Sequence, residues 1–186
     1  MVDRELMLDA AERAIRRDGA GVSLEAIAVE AGVTKPIVYA RVGGRTDLAN
    51  ALAARLADRL NAAAGAAIGA RPYGRAMLAA FIEANLATVA EHREVFLYAT
   101  GGAADDPPQR TLYLAERSTT PMAEQLAGWR TKQGLDPAVA VPWAYAVIGM
   151  LHLVSLWWIN EPDRPAGALA DQLAELLWSG LSGGGT

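Results

Sequence analysis

The sequence contains no cysteine and only two histidines. The absence of cysteine excludes a disulfide framework and a thiolate metal site. It is consistent with a reducing cytoplasm, as is the N-terminal stretch MVDRELMLDAAERAIRRDG, which carries acidic residues and has no apolar signal-peptide core. We therefore expect a cytoplasmic protein that uses neither a metal nor a cofactor.

Motifs that support catalysis are also missing. The sequence has no HExxH, no GxSxG, no phosphate-binding Walker loop and no dinucleotide fingerprint. Gly43 and Gly44 lie between two predicted helices and not after a strand, which disfavours a phosphate cradle. We predict no catalytic residues and do not expect an enzyme.

No segment shows sustained strand-type alternation of apolar and polar residues. Leu, Ala and Val dominate, and apolar residues recur at helical spacing along most of the chain. This pattern predicts an all-α fold of about nine helices. The one clear internal loop is predicted at GGAADDPPQ, residues 101–109, because glycine, aspartate and proline break helices.

What the sequence does contain is two short predicted helices joined by a tight turn, within residues 22–48. Ser23 can cap the first helix, over 24–31, and Gly32 can end it in a left-handed turn. Thr34 can cap the second helix, with Pro36 in its first turn.

The spacing of three small or apolar residues within this stretch is informative. Ala28 lies four residues before Gly32 and lets the helices approach closely, while Val38 lies six residues after Gly32 and packs the second helix on the first. This is the geometry of a helix-turn-helix, whose second helix enters the DNA major groove.

The charge around the second helix agrees with an anionic partner. No acidic residue occurs between Glu30 and Asp47, whereas Lys35, Arg41 and Arg45 are basic. Overall, residues 1–60 hold nine basic and nine acidic residues, and residues 61–186 hold eight and twelve. We therefore expect a few placed DNA contacts with a modest salt dependence.

The stretch resembles the DNA-binding domain of the tetracycline-repressor (TetR) family of transcriptional regulators, over about residues 1–60. The matching positions are Ile27, Ala28, Ala31, Gly32, Val33, Thr34, Tyr39, Val42, Arg45 and Leu48. Three of the family's usual residues are replaced: Val42 stands for a phenylalanine, Arg41 for a histidine or tyrosine, and Arg45 for a lysine. The rest of the chain resembles the family only in length, helical content and position.

The resemblance implies a homodimeric, ligand-responsive regulator, most often a repressor, that binds a palindromic double-stranded DNA operator. Lys35 would contact a base edge, such as guanine O6 or N7, and Ile37 a thymine methyl group. The other implied DNA-binding residues are Pro36 on the exposed helix side, Tyr39, Arg41 and Arg45 at phosphates, and Ser23 and Thr34 through hydroxyl or backbone groups.

The predicted domains are a helix-turn-helix domain over 1–48 and a helical ligand-binding and dimerisation domain over 49–182. A fourth helix, 45–67, connects them, and 183–186 is a flexible tail. The resemblance implies that the last two helices, over 137–160 and 165–181, form a four-helix bundle with a second subunit.

Candidate ligand-binding residues lie in the second domain, where aromatic residues concentrate. They are Phe81, Asn85, Arg117, Trp129, Trp143 and His152. Each also has a simpler explanation, because Asn85 and His152 could be paired core residues and the tryptophans could pack in the core or interface. A kink or break is predicted at Thr120-Pro121, near Arg117.

Residues 137–160, PAVAVPWAYAVIGMLHLVSLWWIN, contain no charge and are long enough to span a bilayer. Internal Pro142, His152 and Ser155, together with acidic flanks, favour a helix buried in its own core and against a partner subunit, with no membrane. Two alternatives stay open: a membrane-anchored sensor, and a helical small-molecule carrier or enzyme without a DNA-binding role.

Overall fold

The computed structural model describes residues 3–69, 71–101, 107–161 and 163–182, without the side chains of 107–112, 181 and 182. Within these ranges the chain forms nine α-helices, one 3₁₀ turn and no strand, which confirms the predicted all-α fold. The helices are α1 (Arg4–Asp18), α2 (Leu24–Glu30), α3 (Lys35–Val42), α4 (Arg45–Ile68), α5 (Arg75–Glu91), α6 (Arg93–Thr100), α7 (Pro107–Lys132), α8 (Ala140–Trp158) and α9 (Ala166–Ser182).

The chain packs as two compact units. Unit 1 comprises Met1–Ala57 with His92–Arg117, and unit 2 comprises Asp58–Glu91 with Ser118–Thr186. Helices α4 and α7 therefore contribute residues to both. Unit 1 extends beyond the helix-turn-helix because α6 packs against α1. The functional division at residues 48 and 49 stays a prediction, and the tail 183–186 lies outside the described residues.

The core of unit 1 is built from the apolar faces of α1 to α4, closed by two residues of α6. Met7, Ile15, Ile27 and Leu52 are fully buried there, together with Tyr98 from α6. Burial of each such side chain stabilises the unit by about 1.5–3 kcal/mol. This core holds α2 and α3 in a defined relative orientation.

The α2–α3 turn follows the prediction at Gly32 and departs from it at Thr34. Ser23 Oγ accepts from the Ala26 N–H at 3.1 Å, and Gly32 has φ +65. Thr34 occupies the cap position of α3, but its side chain makes no capping hydrogen bond. The reason is that Pro36 has no N–H, and the Ile37 N–H donates instead to the Thr34 carbonyl oxygen at 2.9 Å.

Helix α7 corrects two expectations. It starts at Pro107, inside the predicted loop, whose residues 102–106 lie outside the described ranges. It also runs unbroken through Pro121, so a break there is wrong, while the alternative of a kink stays a prediction. Proline costs a helix interior about 3 kcal/mol, and burial of neighbouring side chains such as Leu114 and Ala123 offsets that cost.

The last two helices differ little from their predicted ranges. Asp136 Oδ1 accepts from the Ala138 N–H at 2.9 Å, and a 3₁₀ turn over Pro137–Val139 leads into α8. In the described part of the chain, Pro137–Trp158 is the one helical segment long and apolar enough to cross a bilayer. A buried core helix of a soluble protein meets the same criterion, so this segment is weak evidence for a membrane. Helix α9 packs extensively on α5.

Candidate DNA interface and ligand cavity

Helix α3 has a buried side and an exposed side. Val38 and Val42 lie in the core of unit 1. Lys35, Ile37 and Tyr39 lie on the exposed side, and Tyr39 is 50% exposed despite its large apolar ring. Pro36 is exposed as well. The structure therefore places these four predicted DNA-binding residues on the solvent-facing surface of one short helix.

Lys35 pairs with an acidic residue of α2. Its Nζ lies 3.4 Å from Glu25 Oε2, and both side chains are largely exposed. An exposed pair of this kind contributes about 0–1 kcal/mol. The Lys35 ammonium group can therefore exchange Glu25 for a nucleic-acid acceptor at little cost. Sequence reasoning missed Glu25, which lies in the first turn of α2.

Arg45 is engaged inside unit 1. Its two terminal nitrogens donate to the carbonyl oxygens of Val22, at 3.1 Å, and Ala20, at 3.3 Å. Its guanidinium carbon also lies 5.4 Å from the ring centroid of Tyr98, within cation–π range. These contacts anchor the start of α4 to the segment before α2. Sequence reasoning assigned Arg45 to DNA and did not find its partner Tyr98.

The three remaining predicted DNA-binding residues lie outside the exposed side of α3 described above. Ser23 and Thr34 are exposed at the starts of α2 and α3, and the Ser23 hydroxyl is already used as a helix cap. Arg41 is half-buried in the last turn of α3, and its Nε is buried with no hydrogen-bond partner among the residues that the structure describes. Their contacts with DNA stay predictions.

Unit 2 contains a cavity of about 210 Å³. Its apolar walls come from α4, α5, α7 and α8, and include Leu60, Leu78, Phe81, Met122 and Ile148. Its polar lining groups are those of Asn61, Tyr73, Asn85, Ser118 and Gln125. An apolar chamber with a few polar groups is the usual form of a small-molecule site in a helical protein.

Three of the six predicted ligand-binding residues line this cavity: Phe81, Asn85 and Trp129. The other three do not. Arg117 is exposed in unit 1. Trp143 lies beneath Arg130, whose guanidinium carbon is 4.7 Å from the Trp143 ring centroid. His152 is half-buried on α8, where burial lowers its pKa below the usual value.

Tyr73 is the cavity residue that sequence reasoning missed. Its ring stacks on Trp129 with centroids 3.8 Å apart and planes inclined by 15°, and it meets Trp178 at 5.9 Å. The Tyr73 hydroxyl is buried and has no hydrogen-bond partner in the described part of the chain. Burial raises the pKa of this hydroxyl, and nearby Arg130 partly offsets that rise. Because Tyr73 follows the Arg71-Pro72 helix stop, no helical periodicity marked it.

The described residues include no group of three or more histidine, aspartate or glutamate side chains that could hold a metal ion. The cavity and the exposed side of α3 are two places where the described chain can meet another molecule. The first suits a small organic molecule and the second an anionic groove.

Comparison with known proteins identifies relatives along most of the chain. Residues 7–52 match the family described as "Bacterial regulatory proteins, tetR family", and residues 63–185 match "Tetracyclin repressor-like, C-terminal domain". An uncharacterised HTH-type transcriptional regulator of Mycobacterium tuberculosis strain H37Rv is 28% identical, over 97% of this chain and 77% of its own length.

Two solved structures share the fold. The fatty acid degradation regulator FadR of Bacillus halodurans superposes with a TM-score of 0.71 at 19% identity, covering 96% of this chain and 95% of FadR. FadR of Bacillus subtilis, in complex with stearoyl-CoA, gives a TM-score of 0.69 at 18% identity, covering 95% and 98%. At such identities the similarity shows the fold alone.

Proposed function

The chain belongs to the tetracycline-repressor family of DNA-binding transcriptional regulators, and we propose that it is a cytoplasmic, homodimeric repressor released from a palindromic operator by a small apolar or aromatic effector. This is a family of regulators and not of enzymes, so no catalytic role is proposed. The observation that carries the proposal is the exposed side of α3. Lys35, Ile37 and Tyr39 face solvent there, while Val38 on the opposite side packs in the core of unit 1.

On the DNA side, Lys35 would read a base edge and Ile37 a thymine methyl group, since both project from the N-terminal half of α3. Tyr39 and Arg41 would hold phosphates, with Ser23 and Thr34 adding contacts at the helix starts. Arg45 is the weakest of the proposed phosphate contacts, because its terminal nitrogens already donate to backbone carbonyls.

An apolar stripe on α8 supports a second copy of the chain as a partner. Val141, Tyr145, Leu153 and Trp157 recur at helical spacing and are exposed, with Leu153 at 68%. Leu176 on α9 is 65% exposed. A contiguous apolar surface of this kind marks an interface. A dimer through α8 and α9 would also account for the uncharged segment without a membrane, in agreement with the proposed cytoplasmic location.

The cavity in unit 2 is the proposed effector site. The solved complex of FadR with stearoyl-CoA supports a small-molecule effector for this fold. Helix α4 begins at Arg45 in unit 1 and lines the cavity with Leu60 and Asn61, so it is the proposed carrier of the signal. Release requires that the effector bind unequally to the DNA-competent and DNA-incompetent dimer.

The test is a gel-shift titration against the DNA that flanks the chain's own gene, or against a site selected from a random library. The chain has two lysines, Lys35 and Lys132, and both are exposed. We expect Lys35→Ala to weaken specific binding about tenfold or more, because one base contact is worth about 1–3 kcal/mol. Lys132→Ala, at the end of α7, is the matched control. Equal binding by the two variants would show that α3 is not the recognition helix.

A further inference from the structure

We propose that the unit 2 cavity takes a compact, uncharged ligand with a flat or branched apolar body and one or two neutral hydrogen-bonding groups. The same uncharged lining excludes carboxylates, amines and acyl-CoA molecules. This inference rests on the proposed function in one respect, namely that the cavity is the effector site, and it names the chemical class of that effector.

The first observation concerns charge. The polar groups of the described cavity lining are amides and hydroxyls, from Asn61, Asn85, Gln125, Ser118 and Tyr73, and none of the described lining residues is charged. A charge moved from water into an apolar chamber costs several kcal/mol unless an opposite charge meets it. Phosphate groups in particular need basic side chains or clustered N–H donors. The described lining can pack against a neutral ligand and hydrogen-bond to it, but it supplies no counter-charge for an ionic ligand.

Arg130, which lies close enough to Tyr73 to affect its pKa, is held elsewhere. Its Nε donates to the Asp136 carbonyl oxygen at 2.5 Å, and its guanidinium lies over the Trp143 ring. Arg130 does act on Tyr73 through space, where it lowers the pKa of the hydroxyl, but burial raises that pKa by more.

The second observation concerns shape. At about 210 Å³ the cavity is smaller than the roughly 300–1,000 Å³ of sites for drug-sized ligands. The parallel Tyr73–Trp129 stack gives it a flat aromatic wall, against which a planar ring can lie. Met77 and Met122 supply adaptable apolar surface. A long acyl chain with a charged headgroup suits neither the volume nor the lining.

The third observation is the Tyr73 hydroxyl. It is buried and makes no hydrogen bond in the described part of the chain. A buried polar group without a partner is destabilising, and a ligand that hydrogen-bonds to it removes that penalty. We place the ligand's neutral polar group next to Tyr73, whose side chain lines the cavity; a hydrogen bond to the buried hydroxyl requires the Tyr73 side chain to shift on binding.

The experiment uses the full chain and three matched pairs of probes: benzyl alcohol and benzoate, 2-naphthalenemethanol and 2-naphthoate, and 1-octanol and octanoate. Stearoyl-CoA is a seventh probe. Binding is measured by calorimetric titration and by the shift in thermal midpoint. We expect at least one alcohol to bind with a Kd of about 100 μM or below, as ligands of this size can. Its carboxylate should bind about tenfold more weakly or not at all.

Tyr73→Phe tests the hydroxyl while keeping the aromatic stack. The variant should weaken the alcohol about three- to tenfold and leave the parent hydrocarbon, such as naphthalene, unchanged. Tyr113→Phe is the matched control, because Tyr113 lies in unit 1 and does not line the cavity. A circular dichroism melt of both variants establishes that they are folded.

Two results would overturn the inference: a carboxylate or stearoyl-CoA that binds as tightly as the alcohols, or no binding by any alcohol. Adding each probe to the gel-shift assay distinguishes a failure of this inference from a failure of the proposed function. If stearoyl-CoA releases the operator, the ligand-released repressor stands and the uncharged-ligand class is wrong. If an alcohol binds with the expected loss in Tyr73→Phe but leaves DNA bound, the ligand class stands and ligand-driven release is wrong.

Discussion

Arg16 Nη2 lies 3.1 Å from His92 Nδ1, and this contact joins α1 to the residue that precedes α6. A guanidinium group only donates, so Nδ1 accepts and His92 carries its proton on Nε2. The same Arg16 nitrogen lies 3.4 Å from Glu12, which is 5% exposed. The Arg16 side chain thus contacts both the buried Glu12 carboxylate and His92, the residue directly before α6.

This relationship predicts that Arg16→Ala lowers the free energy of unfolding by about 1 kcal/mol, because His92 and Glu12 each lose a charge-assisted hydrogen bond. Arg4→Ala is the control. Arg4 is on the same helix and forms an exposed ion pair with Glu5 at 3.8 Å, so its replacement should change stability by less than about 0.5 kcal/mol. Urea denaturation measures both. Equal values would mean that the Arg16 contact does not stabilise unit 1.

A second prediction concerns Glu25, the exposed partner of Lys35. Glu25→Gln removes a negative charge next to the proposed DNA surface and frees Lys35. We expect non-specific DNA affinity to rise about threefold, with a change in stability below about 0.5 kcal/mol. The measurement is a titration of random-sequence DNA at two salt concentrations. Glu124→Gln, exposed in unit 2, serves as the control, and a matching increase there would point to net charge alone.

A third prediction concerns the proposed dimer. Leu153→Glu places a charge in the apolar stripe of α8, where it would be buried without a partner in the interface. The variant should be monomeric at concentrations at which the wild type is dimeric, as measured by light scattering after gel filtration. Leu6→Glu is the control, since Leu6 is 55% exposed on α1. A Leu153→Glu variant that remains dimeric would place the interface elsewhere.

A fourth prediction concerns pH. Burial lowers the pKa of His152 below its usual value of 6.5. As the pH falls through that value, the unfolded chain takes up a proton that the folded protein resists, so stability falls. The thermal midpoint of the wild type should therefore decrease relative to that of His152→Gln between about pH 7.5 and pH 5. The difference between the two thermal midpoints removes the contributions of His92 and the carboxylates, which both proteins share. Parallel curves of thermal midpoint against pH would show that His152 has the same pKa in the folded and unfolded states.

Local signals carried most of what could be predicted about the DNA-binding region. Ser23, Gly32 and Val38 act over a few residues: a cap, a left-handed turn and a packed apolar side chain. Such effects depend little on the rest of the chain. The sequence alone therefore located α2, α3 and the exposed side of α3.

Competing interactions decided where local signals failed. Thr34 has the right residue type for a cap, but Pro36 removed one of the N–H groups that it would bind. Pro121 is a helix breaker by itself, yet α7 continues because neighbouring turns are buried. The first outcome could have been predicted from Pro36 itself, whereas the second is visible only when the packed side chains are known.

The sequence by itself determined the all-α fold, the helix-turn-helix and the family, because helical periodicity and turn chemistry are short-range properties. Only the tertiary structure decided that Arg45 binds Ala20 and Val22, that Tyr73 stacks on Trp129, and that Phe81 and Asn85 share a cavity that Trp143 and His152 do not reach. These are contacts between residues far apart in the chain. They depend on how helices pack, and packing follows from the summed burial of many side chains and not from the identity of any one.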